Sequence, residues 1–302
     1  MYKKINIALI GFGYWGKKVF KYLKNRKDIN IKYIYTRKKI NIKNNTQNLK
    51  LIKDDITIKK VFLITPIDTH YKLAKFFNNK ILFIEKPLTL EYKNSLKILK
   101  NRNIFVDYLY RYSQAIIRLK KITDNKSLGK LKNLNINISQ TGRFNKFDVN
   151  YLLNSHALSI ISIFTDIKTS KFLINPNLFN KGNVTDLNIN FINNSLKGNI
   201  FLSLNSIFKK FNITLIFENG TVELFKFKTF SKLNISKYKR NSKLKIKSLE
   251  ISANESDNLN KSINVFLSKK FNFNMKENIK IAYILEKIEK IIYKRKKFLD
   301  YK

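Results

Sequence analysis

Residues 7–16 read IALIGFGYWG, an apolar run that stops at three glycines within six positions, Gly11, Gly13 and Gly16. Strands commonly end in turns, but a turn so stripped of side chains lets something come close to the backbone. The spacing is that of a strand–turn–helix loop that cradles a pyrophosphate. The first glycine permits the tight turn, the second leaves room for phosphate, and the third lets the following helix pack on the strand. That helix then points its N-terminal N–H groups at the anion. Gly11, Phe12, Gly13, Tyr14, Trp15 and Gly16 are therefore candidate dinucleotide-binding residues, with an ordinary glycine-rich turn as the alternative.

Outward from this turn, Ile5–Ile10 reads as a buried strand and Lys17–Asn25 as a helix with Val19, Phe20 and Leu23 on one face. Further strands are expected at Ile31–Tyr35, Val61–Ile64, Ile81–Ile84 and Ile104–Tyr108, with helices around Tyr71–Phe77 and Glu91–Leu99. Alternating strands and helices point to an α/β domain with a parallel, doubly wound sheet. The uninterrupted hydrophobicity of these strands fits burial on both faces.

The pattern changes after Ser113–Thr123, a helix with Ile116, Leu119 and Ile122 in register. From Leu131 the chain alternates, with Leu134, Ile136 and Ile138 against Asn133, Asn135 and Asn137. The same period returns at Leu187/Ile189/Phe191, Ile200/Leu202/Leu204 and Phe211/Ile213/Leu215/Phe217. This describes a sheet with one wet face. Glu218-Asn219-Gly220 is expected to be a hairpin turn, because Asn-Gly tolerates positive φ. The Asn-rich stretch Ser252–Asn260 is expected to be a loop. Ile281, Leu285, Ile288 and Ile292 mark a long closing helix.

The 302 residues suffice for two domains, and 44% hydrophobic residues make this a folding sequence. The absence of cysteine excludes disulfides and thiolate metal sites, and no metal is expected. Met1 is followed by Tyr-Lys-Lys and then the first strand, leaving no room for a signal peptide. No uncharged apolar run approaches the ~20 residues of a membrane helix. A soluble, cytoplasmic protein without a membrane partner is the expectation. Sixty-one Lys and Arg against 20 Asp and Glu give a net charge of +41. A nucleic-acid surface gathers its cations. Here lysines are spread through every segment among Asn, Ile, Phe and Tyr, residues that share A/T-rich codons. A specific nucleic-acid partner is therefore not expected, although the diffuse field steers anionic ligands.

The end of the second strand bears on which dinucleotide binds. An NAD site places a carboxylate about 20 residues on, for the ribose 2′-hydroxyl. Here that position is Thr36, followed by Arg37 and Lys38. A hydroxyl and cations suit a 2′-phosphate better. The cofactor is NADP or NAD, with the balance slightly toward NADP.

Three further stretches carry a family resemblance: LITPIDTH (63–70), LFIEKPLT (82–89) and DYLYRYS (107–113). With the glycine loop, they resemble the glucose–fructose oxidoreductase / inositol dehydrogenase / MocA family. The likeness continues through SLGKL (127–131), NSHALSI (154–160) and FNITLIFENGTVELF (211–225). It implies an N-terminal Rossmann domain, residues 1–112, and an α+β substrate-binding domain, residues 113–302, with a large open, mostly antiparallel sheet. In the family that sheet commonly serves oligomerisation, so a homo-oligomer is expected. GYWG and the segment from Arg111 to Lys130 are most similar to members that oxidise nucleotide-linked sugars in cell-surface glycan synthesis.

The resemblance also implies site residues. Lys86 matches the Glu-Lys-Pro lysine near nicotinamide and substrate, where a cation polarises a sugar hydroxyl or ketone and helps move its proton. Thr65, Pro66, Glu85 and His70 fall on cofactor-side positions. His156 matches the substrate-side histidine, a general-base candidate, and Arg111 is expected to contact the substrate. One departure stands out. The family places an aspartate four residues before its histidine, and here that position is Leu152; the position after it, acidic in similar members, is Ala157. Asp148 lies eight before, ~12 Å along a helix, too far for a direct bond. The leading expectation is an NAD(P)-dependent sugar oxidoreductase. The rival is a non-catalytic relative that binds dinucleotide or sugar as a regulator or partner subunit.

Overall fold

The computed structural model describes residues 4–37, 40–100, 103–141, 147–180, 182–193, 196–226, 230–238, 244–252, 255–268 and 275–300. The chain divides into two compact units: Met1–Tyr108 with Leu259–Ala282, and Leu109–Asn258 with Tyr283–Lys302.

In the first unit the apolar runs become strands of one parallel sheet, alternating with helices. In chain order these are β1 (Ile5–Ile10), α1 (Tyr14–Lys24), β2 (Ile29–Tyr35), β3 (Asn45–Thr46) and α2 (Leu49–Asp54). There follow β4 (Lys60–Leu63), α3 (Ile67–Phe76), β5 (Ile81–Glu85), α4 (Tyr92–Leu99) and β6 (Ile104–Asp107). The sheet order is β3-β2-β1-β4-β5-β6. Chain order reverses between β1 and β4, where β1 pairs in parallel with β2 on one side and β4 on the other. Ile7, Leu9, Val61, Phe62, Phe83 and Ile84 are fully buried, as strands covered on both faces require. At such a reversal the loops leaving two strand ends diverge and open a crevice.

The second unit holds α5 (Gln114–Asn125), β7 (Leu131–Thr141), a π-helical turn at Asn150–Asn154 and α6 (Ser155–Ile161). After these come β8 (Lys171–Asn180), β9 (Asn183–Asn193), β10 (Leu196–Ser203), β11 (Asn205–Phe217), β12 (Gly220–Lys226), β13 (Phe230–Tyr238) and β14 (Leu244–Ser252). The strands form one sheet, β14-β13-β12-β11-β7-β10-β9-β8, antiparallel except for the β7–β10 pair. Leu134, Ile136, Ile200 and Ile213 are buried on one face. The opposite face carries an asparagine ladder, in which the Asn199 amide donates to the side chains of Asn188 and Asn190, and its backbone N–H donates to Asn135.

Three expectations change. The stretch Ser252–Asn260 is not a loop: β14 ends at Ser252, and α7 (Glu255–Leu267) starts almost at once, with residues 253–254 outside the described set. From Leu259 onward α7 belongs to the first unit, although 113–302 was read as one domain. Its Phe266 supplies the reason, packing its ring 5.1 Å from Phe62, 5.4 Å from Phe83 and 5.6 Å from Phe105. The hairpin turn consists of Glu218-Asn219, with Gly220 already paired to Phe217. Neither turn residue has positive φ. Gly220 is small for a different reason: a Cβ there would lie 2.2 Å from the Ser236 carbonyl on β13. The closing helix, α8 (Met275–Asp300), buries Ile281, Leu285, Ile288 and Ile292 as expected. Among the described residues, no helix is long and apolar enough to cross a membrane.

Candidate active site

Two of the three loop glycines are required by neighbouring backbone carbonyls, and the third is not. Gly11 has φ +100°, and a Cβ there would stand 2.1 Å from the Ile64 carbonyl at the end of β4. A Cβ on Gly16 would stand 2.2 Å from the carbonyl of Gly11, so its absence lets α1 sit against the turn. Gly13 is different, because nothing lies within 4 Å of its Cβ position. The chain itself has no need of a glycine there, so the space suits a group from outside it. Gly13 is also the N-cap of α1, without a side-chain cap and with no acidic residue in the first helical turn. The positive end of the α1 dipole thus favours an anion at the β1–β4 reversal. These features fit the pyrophosphate of a dinucleotide, and Gly11–Gly16 would hold it.

Around the loop, Phe12 packs edge-on against Phe20 at 5.3 Å. Lys18 lies 4.6 Å from the Tyr14 ring and 4.5 Å from that of Trp15. Thr36 and Arg37 follow β2 directly, and Arg37 is exposed. The residues that follow the strand, Thr36 to Ile40, include no Asp or Glu. Lys38 lies outside the described residues.

The loop after β4 is tied to the loop after β5 by His70. Its ring is 1% exposed, with Nε2 2.8 Å from the Thr65 carbonyl and Nδ1 3.1 and 3.2 Å from the carbonyls of Pro87 and Leu88. Burial pushes its pKa below the usual histidine range, against the pull of those carbonyls. His70 is therefore positioned to hold the Thr65, Pro87 and Leu88 backbone in place. Thr65 is held from a second side, since the Thr69 hydroxyl sits 2.7 Å from its Oγ1 and 2.6 Å from the Pro66 carbonyl.

Glu85 ends β5, followed by Lys86 and the cis-linked Pro87. The backbone N–H of Lys86 donates to the Glu85 carboxylate. Beside Glu85 in parallel register stands Asp107, the last residue of β6. Asp107 is 3% exposed and accepts a 2.6 Å hydrogen bond from Ser262 on α7. Desolvation raises both carboxyls, Glu85 to about 7 and Asp107 to about 8, and the charge of Glu85 adds to the rise at Asp107. The charge of Lys86 opposes both shifts. Asp107 and Ser262 were not singled out from the sequence. An aspartate closing the apolar run IFVD was the available signal for the first; nothing local marked the second.

The substrate-side candidates lie in the second unit. His156, near the start of α6, meets the Tyr110 ring edge-on at 4.8 Å. Tyr110 in turn stacks on Phe211 at 4.5 Å, with Lys226 4.7 Å from its centroid. This aromatic and cationic setting was not foreseen, because its members come from three distant stretches of chain. Arg111 donates to the Ser162 hydroxyl at 3.0 Å. Asp148 is engaged elsewhere: Lys296 donates to its two oxygens at 3.0 and 3.1 Å, and the backbone N–H of Val184 donates to it as well. The first unit thus brings Gly11–Gly16, Thr36, Arg37, Thr65, Pro66, His70, Glu85 and Lys86 to the carboxyl ends of its strands, and the second brings His156 beside Tyr110.

Comparison with known proteins agrees with this geometry. Residues 5–102 match the family model GFO_IDH_MocA, described as oxidoreductase family, NAD-binding Rossmann fold. No curated protein matches the chain. Among solved structures, KijD10, a 3-ketoreductase from Actinomadura kijaniata in complex with NADP and TDP-benzene, aligns with TM-score 0.82 at 10% identity, over 95% of this chain and 98% of that one. The candidate oxidoreductase yvaA from Bacillus subtilis aligns with TM-score 0.80 at 15% identity, over 98% of both chains. At these identities the likeness is one of fold.

Proposed function

We propose that this protein, whose residues 5–102 match the oxidoreductase family model with the NAD-binding Rossmann fold, is an NAD(P)-dependent sugar dehydrogenase or reductase acting on a nucleotide-linked sugar. The observation that carries the reading is the empty Cβ position of Gly13 at the uncapped N-terminus of α1. The cofactor, when bound, supplies hydride acceptance or donation at carbon 4 of its nicotinamide. Lys86 polarises the reacting hydroxyl or ketone and passes its proton. His156 acts as the substrate-side base, and Arg111 assists binding. Thr36 and Arg37 favour the 2′-phosphate of NADP. That KijD10 is a 3-ketoreductase held with NADP and TDP-benzene supports the preference for NADP and for a nucleotide-linked substrate.

A second reading, a non-catalytic dinucleotide- or sugar-binding relative, is favoured by the two positions flanking His156 that are acidic in similar family members and are not acidic here. Leu152 and Ala157 occupy the acidic positions, and Asp148 is bound to Lys296. The deciding experiment offers the purified protein NADP or NAD with a panel of nucleotide-linked and free sugars, following nicotinamide absorbance. The enzyme reading expects turnover, reduced about 10²–10⁴-fold in His156→Asn with cofactor affinity retained. Tight cofactor binding without turnover of any sugar selects the second reading. We further propose that the second domain mediates self-association. Its polar sheet face is edged by exposed Leu173 and Ile192 along a groove of about 430 Å³, and the mass of the protein in solution tests this.

A further inference from the structure

Two carboxyl groups end the neighbouring strands β5 and β6 at the edge where the glycine loop also opens. Registered residues of a parallel pair point to the same face, so Glu85 and Asp107 stand side by side. Asp107 is buried, and Glu85 is half-buried. Two adjacent carboxylates with little water cannot both ionise at little cost, and one of them keeps a proton. Among the described residues, the charged group whose field reaches both is Lys86, and Ser262 contributes a neutral hydroxyl bond to Asp107. One cation, one carboxylate and one carboxylic acid make the cluster neutral.

We propose that Glu85 and Asp107 hold a single proton between them and exchange it with Lys86, a proton store for the redox reaction. This rests on the reading of Lys86 as the proton-transfer group. Oxidation of a carbinol carbon breaks its C–H and O–H bonds and forms C=O, releasing one proton for each hydride transferred. The Lys86 ammonium passes a proton to the carboxylate of the pair and takes the hydroxyl's proton in its place, so the pair gains one proton, which it later returns to solvent; reduction runs the same path backwards. The raised titrations of both groups place the exchange near neutral pH.

Difference infrared spectroscopy of the full-length protein, titrated from pH 5 to 10, tests the pair without turnover. The native protein should keep the carbonyl stretch of a protonated carboxyl at pH 7 and lose it as the pH passes about 8. Glu85→Gln removes the like charge and should lower the remaining midpoint by about one unit. Lys86→Gln removes the cation and should raise it by a similar amount. Because Lys86 reports the coupling independently, the test survives if Glu85→Gln fails to fold. Absence of a protonated carboxyl at pH 7, or a midpoint unmoved in Lys86→Gln, overturns the proposal. A fluorescence titration of the same samples with NADPH reads the cofactor proposal separately, so the two can fail independently.

Discussion

Gly13 and Arg37 are the residues at which the cofactor reading is most exposed to test. Gly13 has open space where a side chain would begin, so the Cβ of Gly13→Val meets no atom of the folded chain within 4 Å. The variant should lose no more than about 1 kcal/mol of stability, the cost of a poor N-cap. Its added side chain would fill the space needed by the pyrophosphate. The Kd for NADPH should therefore rise at least about tenfold, or 1.4 kcal/mol, as fluorescence titration would show. Arg37 is exposed beside the second strand's end, where NAD-specific sites carry a carboxylate. If it pairs with the 2′-phosphate, the charge-assisted bond contributes about 1.5–3 kcal/mol. Arg37→Ala should then weaken NADP by one to two decades and leave NAD unchanged. Equal losses for both dinucleotides would reduce Arg37 to a general surface cation.

The elements show how far the sequence could be read. Uninterrupted strands such as VFLI and ILFI declared their burial, and the period of two in LNINI declared a sheet with a wet face. The glycine loop was legible from its spacing, with Gly11 and Gly16 answering local steric demands and Gly13 leaving open space. What stayed hidden depends on distant partners. The start of α7 looks like a loop in its own sequence, ESDNLN, and is helical with Leu259 buried and Phe266 set in an aromatic cluster. The acid pair needed the β5–β6 register, and the surroundings of His156 needed β11 and β12 to be placed beside Tyr110. Phe266 gives this a measurable form. It is fully buried, and Lys60 donates to its carbonyl at 2.6 Å while lying 4.8 Å from its ring. Phe266→Ala should cost about 3–5 kcal/mol by loss of contacts and creation of a cavity. Urea unfolding would record it as a lower midpoint. A change below about 1 kcal/mol would mean that α7 is not part of the first unit's core.

At the scale of the whole molecule the dominant quantity is the net charge of +41. Like charges on a folded chain repel one another, and unfolding separates them, so the charge itself works against the native state. Salt screens this repulsion, because the Debye length shrinks from about 10 Å at 0.1 M to about 3 Å at 1 M. Several ion pairs work in the opposite sense: Lys32–Asp55, Lys132–Glu218 and Lys296–Asp148 are weakened by the same screening. Only 20 acidic residues are available to form such pairs, so most of the 61 cations lack an acidic partner of their own and repulsion outweighs attraction. The Tm should accordingly rise when NaCl is increased from 0.05 to about 0.5 M, a range over which screening becomes strong. The same charge predicts adhesion to DNA or RNA at low salt, with log K falling linearly against log salt as counterions are released. Binding should not depend on base sequence, because the cations are dispersed through the chain instead of gathered beside stacking aromatics. Fluorescence anisotropy with unrelated oligonucleotides would check both the slope and the indifference. Selective binding that persists at physiological salt would assign the charge a recognition function, and a Tm that falls with salt would show that the ion pairs, not the repulsion, control stability.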